Sequence, residues 1–165
     1  MATTAKTKAR RTAARKSGAP GDAIALLKAD HREVEGWFDD YEDLEDEKEK
    51  AALSAKICTA LKVHTQIEEE IFYPAARAAT GDGDLLDEAA VEHAAAKELI
   101  TQIVAMKVGD DVYDAKVKVL GEQVKHHVKE EEGELFPEAR ESRMDLAALG
   151  ERMAARKKEL MVKLA

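Results

Sequence analysis

The chain has one cysteine, Cys58, in 165 residues, which excludes an intramolecular disulfide and any metal cluster built on several thiolates. It fits a reducing compartment, and Cys58 itself reads as a small core residue. Aromatic residues make up only 4% of the chain and there are three prolines, a scarcity that disfavours a sheet-rich fold. No apolar run approaches the roughly 18 residues that span a bilayer. The N-terminus also lacks the apolar stretch of a secretory signal, so a soluble, cytoplasmic protein without a membrane partner is expected. There is no Gly-rich phosphate loop, no nucleophile beside a base, and no aromatic-basic surface for nucleic acid.

Alanine, leucine, lysine and glutamate dominate instead, which favours helices throughout. The length suits one domain with a core of ordinary size. Charge is divided unevenly. Six of the 26 basic residues and none of the 34 acidic ones lie in residues 1–21, so the −8 of the whole chain becomes −14 for residues 22–165. Residues 1–21 read as a disordered basic tail. It is either a solvated leader, a weak contact for nucleic acid or another acidic molecule, or, in a eukaryote, a transit peptide.

Apolar residues stepping by three and four predict four long helices. The first starts near Asp22, a good N-cap, and runs to about Glu45 with the stripe Ile24, Leu27, His31, Val34, Phe38, Tyr41. The second covers about 48–73, with Leu53, Ile57, Leu61, His64, Glu68 and Ile71, and Pro74 marks its disturbed end. The third follows Gly81-Asp82-Gly83-Asp84 and ends before Gly109, with Leu86, Ala89, His93, Ala96, Ile100 and Ile103 on its stripe. The fourth starts at Asp110 or Asp111 and carries Val117, Leu120, Val124, His127 and Glu131 until Gly133 and Pro137 interrupt it. Short connections make these an all-α, antiparallel, up-down-up-down four-helix bundle over 22–143. A further helix in 144–165, with Leu146, Leu149, Met153, Leu160 and Leu164 on one side, covers an end of the bundle or forms a dimer contact. Monomer and homodimer both stay open.

Each stripe carries a histidine where leucine is expected, and two carry a glutamate. His64 and Glu68 are four residues apart, so imidazole and carboxylate converge on one interior point. His127 and Glu131 repeat the spacing, and both histidines precede a proline by ten residues. His31 and His93 lie 62 apart, one on each preceding helix, so the chain reads as two duplicated hairpins. His126 with Glu130 has the same spacing, but His127 with Glu131 keeps both the proline distance and the heptad phase.

Two inward carboxylates with no basic residue on the four stripes must be paired, protonated or bound to a cation. Imidazole with carboxylate suits iron, manganese or zinc. If both glutamates bridge two ions, each ion gains two histidines and two carboxylate oxygens, with an oxo or hydroxo bridge as a fifth donor and one open position. The expected metal residues are therefore His31, His64, Glu68, His93, His127 and Glu131.

This ordered pattern, with Phe72-Tyr73-Pro74 and Phe136-Pro137 after the two pairs, resembles the hemerythrin-like HHE domain family over roughly residues 22–140. The resemblance implies a non-haem di-iron centre, with His31 and His64 on one iron, His93 and His127 on the other, and Glu68 and Glu131 bridging. The chain departs from the oxygen-carrying hemerythrins in two places. Lys97 stands where those have a second histidine on the third helix, and the step to Glu131 is four residues where they use five to an aspartate. The implied site is more open, so three readings follow. One is binding or sensing of oxygen or a related small oxidant such as peroxide or nitric oxide. Another is enzymatic turnover of hydrogen peroxide or nitric oxide, with Tyr41 or Tyr73 as candidate redox partner. The third is a metal-stabilised regulatory bundle that uses its tail and last helix.

Overall fold

The computed structural model describes residues 21–164, and over that range it is helical with no strand. The basic segment read as a disordered tail lies, but for Gly21, outside the described residues. Seven α-helices follow one another: α1 Ala23–Glu42, α2 Glu47–Ile67, α3 Tyr73–Thr80, α4 Gly83–Ala105, α5 Tyr113–Glu130, α6 Phe136–Glu141 and α7 Leu146–Leu164. α1, α2 with α3, α4, and α5 with α6 form the four limbs of the bundle. α7 lies along α1 and α2 rather than capping an end. No helix among the described residues is long and apolar enough to cross a membrane.

Capping acids set the starts. Asp22, Asp46 and Asp82 accept from the backbone amides of Ala25, Glu49 and Leu85, each satisfying a donor that the first helical turn leaves free. α1 stops at Glu42, short of the expected Glu45, where the amides of Asp43 and Leu44 turn back to the carbonyls of Asp40 and Tyr41 before the chain extends into the Asp46 cap. α5 likewise begins at Tyr113, later than Asp110 or Asp111, because Lys107–Val112 form turns and Val112 sits at φ 62°.

The two prolines do not end the limbs as the sequence suggested. Each limb passes through one wide π turn, Glu68–Phe72 before Pro74 and Glu131–Leu135 before Pro137, and continues as α3 or α6. The amides of Tyr73 and Phe136 bond to the carbonyls of Glu68 and Glu131. This five-residue reach opens the ladder where the proline brings a ring and no N–H. It also changes which side chains face inward. At about 100° per residue an α-helix would carry position i+5 some 140° away from position i, whereas the wider turn keeps Tyr73 on the face of Glu68, and Phe136 on that of Glu131.

Two apolar clusters fill the interior. Ile24, Leu27, Ile67, Phe72 and Phe136 pack with Leu149, Met153 and Leu160 of α7. Val34, Ile57, Cys58, Leu61, Ile100, Val117 and Leu120 form the other. Burial pushes the Cys58 thiol up to about 11, as for an inert core residue. Between the clusters lies a polar layer of buried histidine and glutamate.

Candidate metal centre

The six side chains expected from the sequence meet in that layer. His31 comes from α1, His64 from α2, His93 from α4 and His127 from α5, while Glu68 and Glu131 open the two π turns. The ligand atoms of His31, His64, Glu68 and Glu131 lie within 4.8 Å of one another, and those of Glu68, His93 and His127 form a second such set. Glu68 is fully buried and Glu131 is 3% exposed. Of the competing pairs, His127 faces inward with its side chain 12% exposed, and His126 points out at 63%.

Four carboxylates fix the four rings. The Nδ1 of His31, His64, His93 and His127 donates to Glu132, Asp30, Glu69 and Glu92, at 3.2, 3.1, 3.1 and 2.9 Å. An ionised carboxylate only accepts, so each Nδ1 carries the proton and each Nε2 turns inward as a donor atom. The arrangement repeats between the halves: Asp30 and Glu92 precede the lone histidines, and Glu69 and Glu132 follow the inward glutamates. Sequence reasoning left these acceptors unnamed, although the 62- and 63-residue offsets pair them.

The inward atoms are spaced as the corners of coordination polyhedra. His31 and His64 Nε2 are 3.2 Å apart, as are His93 and His127 Nε2. His64 to Glu68 Oε1 and His93 to Glu68 Oε2 are both 3.0 Å. His31 to Glu131 Oε1 is 3.2 Å and His127 to Glu131 Oε2 is 3.3 Å. Adjacent donors on an octahedral ion with bonds of about 2.1 Å stand about 3.0 Å apart. Each glutamate thus offers one oxygen to each histidine pair. With the Nε2 atoms beside them unprotonated, Glu68 Oε1 and Glu131 Oε1 accept no hydrogen bond among the described residues, which is costly for a buried carboxylate oxygen unless a cation or a proton on the imidazole meets it. The donor set fits a metal.

Without metal, protons take the cation's role. Burial opposes charge on His64, but the Glu68 and Asp30 carboxylates outweigh it and raise its pKa well above the usual value. His127 is likewise disfavoured by burial yet raised to about 9 by Glu131, Glu68 and Glu92. Burial of Glu68 is overcome by His64 and His93, which hold its carboxyl well below the usual range.

Tyr73 breaks the two-fold pattern. Its hydroxyl donates to Glu131 Oε2 at 2.6 Å and lies 3.1 Å from Glu68 Oε2 and 3.2 Å from the Nε2 of both His93 and His127. Burial and the two carboxylates raise its pKa well above the usual value. At the equivalent place Phe136 stacks on His31, ring centres 5.9 Å apart. Tyr41, the other expected redox candidate, is not at the centre: it bonds Asp114 at 2.8 Å within the second apolar cluster.

Residues 22–139 match the hemerythrin HHE cation-binding domain family. The chain belongs to that family. A hemerythrin HHE cation-binding domain protein from Mycobacterium kansasii has the same fold, with a TM-score of 0.76 and 24% identity over 87% of this chain and 89% of that one. A Nostoc protein named DNA nickase is 29% identical over 132 residues. That match takes in 73% of this HHE chain and 37% of the Nostoc protein, so the chain spans little more than a third of that relative's length.

Proposed function

We propose that this HHE protein carries a non-haem di-iron pair and binds or senses oxygen or a related small oxidant. The observation that carries the reading is the pair of buried glutamates, each aiming one oxygen at each pair of inward Nε2 atoms. Two cations bridged by two carboxylates have much of their charge cancelled inside an apolar core. Imidazole and carboxylate without thiolate suit iron. Bound there, such a pair supplies reversible one-electron chemistry and open positions for a small ligand.

A cavity of about 40 Å³ lies against the histidine layer, lined by Val34, Leu61, Ala96, Ile100 and Val124. That space is more than the roughly 10–15 Å³ in which one water-sized sphere fits, so it admits a small ligand such as a diatomic molecule or a peroxide. Among the described residues its wall includes no lysine or arginine. A phosphodiester backbone needs room and positive charge, so strand cleavage, suggested by the Nostoc relative's name, is not part of the proposal.

Turnover of hydrogen peroxide or nitric oxide is the second reading, and the buried hydroxyl of Tyr73 favours it. That oxygen stands among the donors of His93, His127 and both glutamates. It would join them as a further ligand and keep a redox-active side chain at the metal. The iron-loaded protein, reduced without air and then given oxygen or peroxide, separates the readings. A visible band that appears and is reversed by removing the gas indicates binding, sustained oxygen evolution from peroxide indicates turnover, and no spectral response sinks both.

A further inference from the structure

The four carboxylates that orient the histidines are treated alike in three cases. Lys157 of α7 binds Asp30, Arg32 binds Glu132, and Lys97 binds Glu69. Glu92 is the exception. Among the described residues neither lysine nor arginine pairs with it. Its Oε1 accepts from His127, and its Oε2 faces His126 Nε2 at 3.6 Å, which is itself 3.1 Å from Glu130 Oε1.

The internal duplication shows what is missing. Asp30 corresponds to Glu92, and its free oxygen takes the Lys157 ammonium at 2.5 Å. His126 and Glu130 correspond to Val63 and Ile67, which are buried in the cluster that α7 closes. Among the described residues no helix brings a lysine to the matching face of α4 and α5, and that face carries an imidazole and a carboxylate where its twin carries apolar residues.

We propose that Glu92, His126 and Glu130 form a third, surface site for a divalent cation, which takes the place that Lys157 fills in the first half. Glu92 Oε2, His126 Nε2 and Glu130 Oε1 lie within 4.8 Å of one another, and one nitrogen with two carboxylate oxygens suits zinc, manganese or ferrous iron. Their side chains are 21, 63 and 28% exposed, so an ion reaches them from solvent and keeps water on its remaining positions. A narrow crevice is lined by Glu92 and Glu130 of this cluster and by His127 and Glu131 of the buried one. The site goes beyond the buried pair of the proposed function, and its test does not need that pair to be iron.

The test is equilibrium dialysis of the iron-loaded full chain against micromolar zinc, with iron and zinc measured in the same sample. His126→Ala and Glu130→Gln are compared with wild type, while Glu92 is left alone because it also holds His127. The site predicts one zinc per chain more in wild type than in either variant, at equal iron content. Equal zinc in all three proteins overturns it. So does zinc gained one-for-one with iron lost, which places the zinc in the buried positions. Low iron in every sample counts against the di-iron reading alone, because the difference between wild type and variants is still readable.

Discussion

Lys157 on the last helix donates to Asp30 on the first, at 2.5 Å, and the other oxygen of Asp30 accepts from Nδ1 of His64 at 3.1 Å. Asp30 is 8% exposed, and although burial works against its charge, His64 and Lys157 hold its pKa below the usual value. α7, which belongs to none of the four limbs, thus reaches an inward imidazole through one carboxylate.

Lys157→Met should weaken that hold without removing any inward donor. Loss of a group bonded directly to a ligating histidine, as Asp30 is to His64, typically costs 10- to 100-fold in affinity, and Lys157 stands one contact further out, so a loss of less than about 10-fold is expected. Competition with a chelator measures it. An unchanged affinity would mean that α7 packs on the bundle without supporting the site.

Tyr73→Phe should act in two ways. In the metal-free protein it removes the 2.6 Å hydrogen bond to Glu131 Oε2, at a cost of roughly 1.5–3 kcal/mol for a bond to a charged group, which thermal unfolding would show. In the iron-loaded protein, a phenol oxygen in the donor set predicts a visible charge-transfer band that the variant loses. Retention of the band with full iron content places the phenol outside the set.

Metal binding and metal-free stability should respond to pH with opposite signs. A histidine raised from 6.5 to about 9, as His127 is, stabilises the fold fully below about 6.5 and loses that contribution as pH rises through 9. His64 acts in the same direction. Glu68, held well below 4.5, contributes above that value and loses its share as pH falls through its lowered pKa. The contributions of these three groups to metal-free stability are all present together between about 4.5 and 6.5. A cation must displace the protons on His64 and His127, so affinity rises toward pH 9. Unfolding and chelator competition at about pH 6 and about pH 9 check both slopes, and parallel trends would refute the scheme.

Two glycines test the docking of α7. A Cβ on Gly150 would come within 2.7 Å of the Gly21 carbonyl oxygen and 2.8 Å of the Ala23 nitrogen, so Gly150→Ala must push α7 off the start of α1, at a cost of roughly 1–3 kcal/mol. Gly36, in the middle of α1, meets nothing within 4 Å, and Gly36→Ala should stabilise by about 0.5–1 kcal/mol. Denaturant unfolding of both variants reads the contrast, and a Gly150→Ala protein as stable as wild type would count against the close packing of α7.

The helix order and the six inward side chains were legible because all of them obey one rhythm: His31, His64, Glu68, His93, His127 and Glu131 sit on the apolar stripes. The proline distance and the stripe also separated His127 from His126. The four orienting carboxylates were not legible in that way. Asp30, Glu69, Glu92 and Glu132 each neighbour an inward residue in sequence, and one step along a helix turns a side chain by about 100°, off the stripe. Tyr73 was legible only as one of two redox candidates, and its place among the inward donors was hidden for a related reason. Only the wide turn at Glu68–Phe72 brings position i+5 onto the inward face, and a proline read as a helix end conceals such a turn. Tyr41 lies on the stripe, but beyond the histidine layer.

The most direct measurement is an anaerobic titration of the metal-free protein with ferrous iron, counting tightly bound ions per chain in wild type and in His64→Ala, Glu68→Ala and Glu131→Ala. Two inward sites that share both glutamates predict two tightly held ions in wild type, a loss of about one ion in His64→Ala, and losses of more than one in the glutamate variants, because each glutamate serves both positions. A variant lacking either glutamate that still holds its full complement of iron would contradict the account.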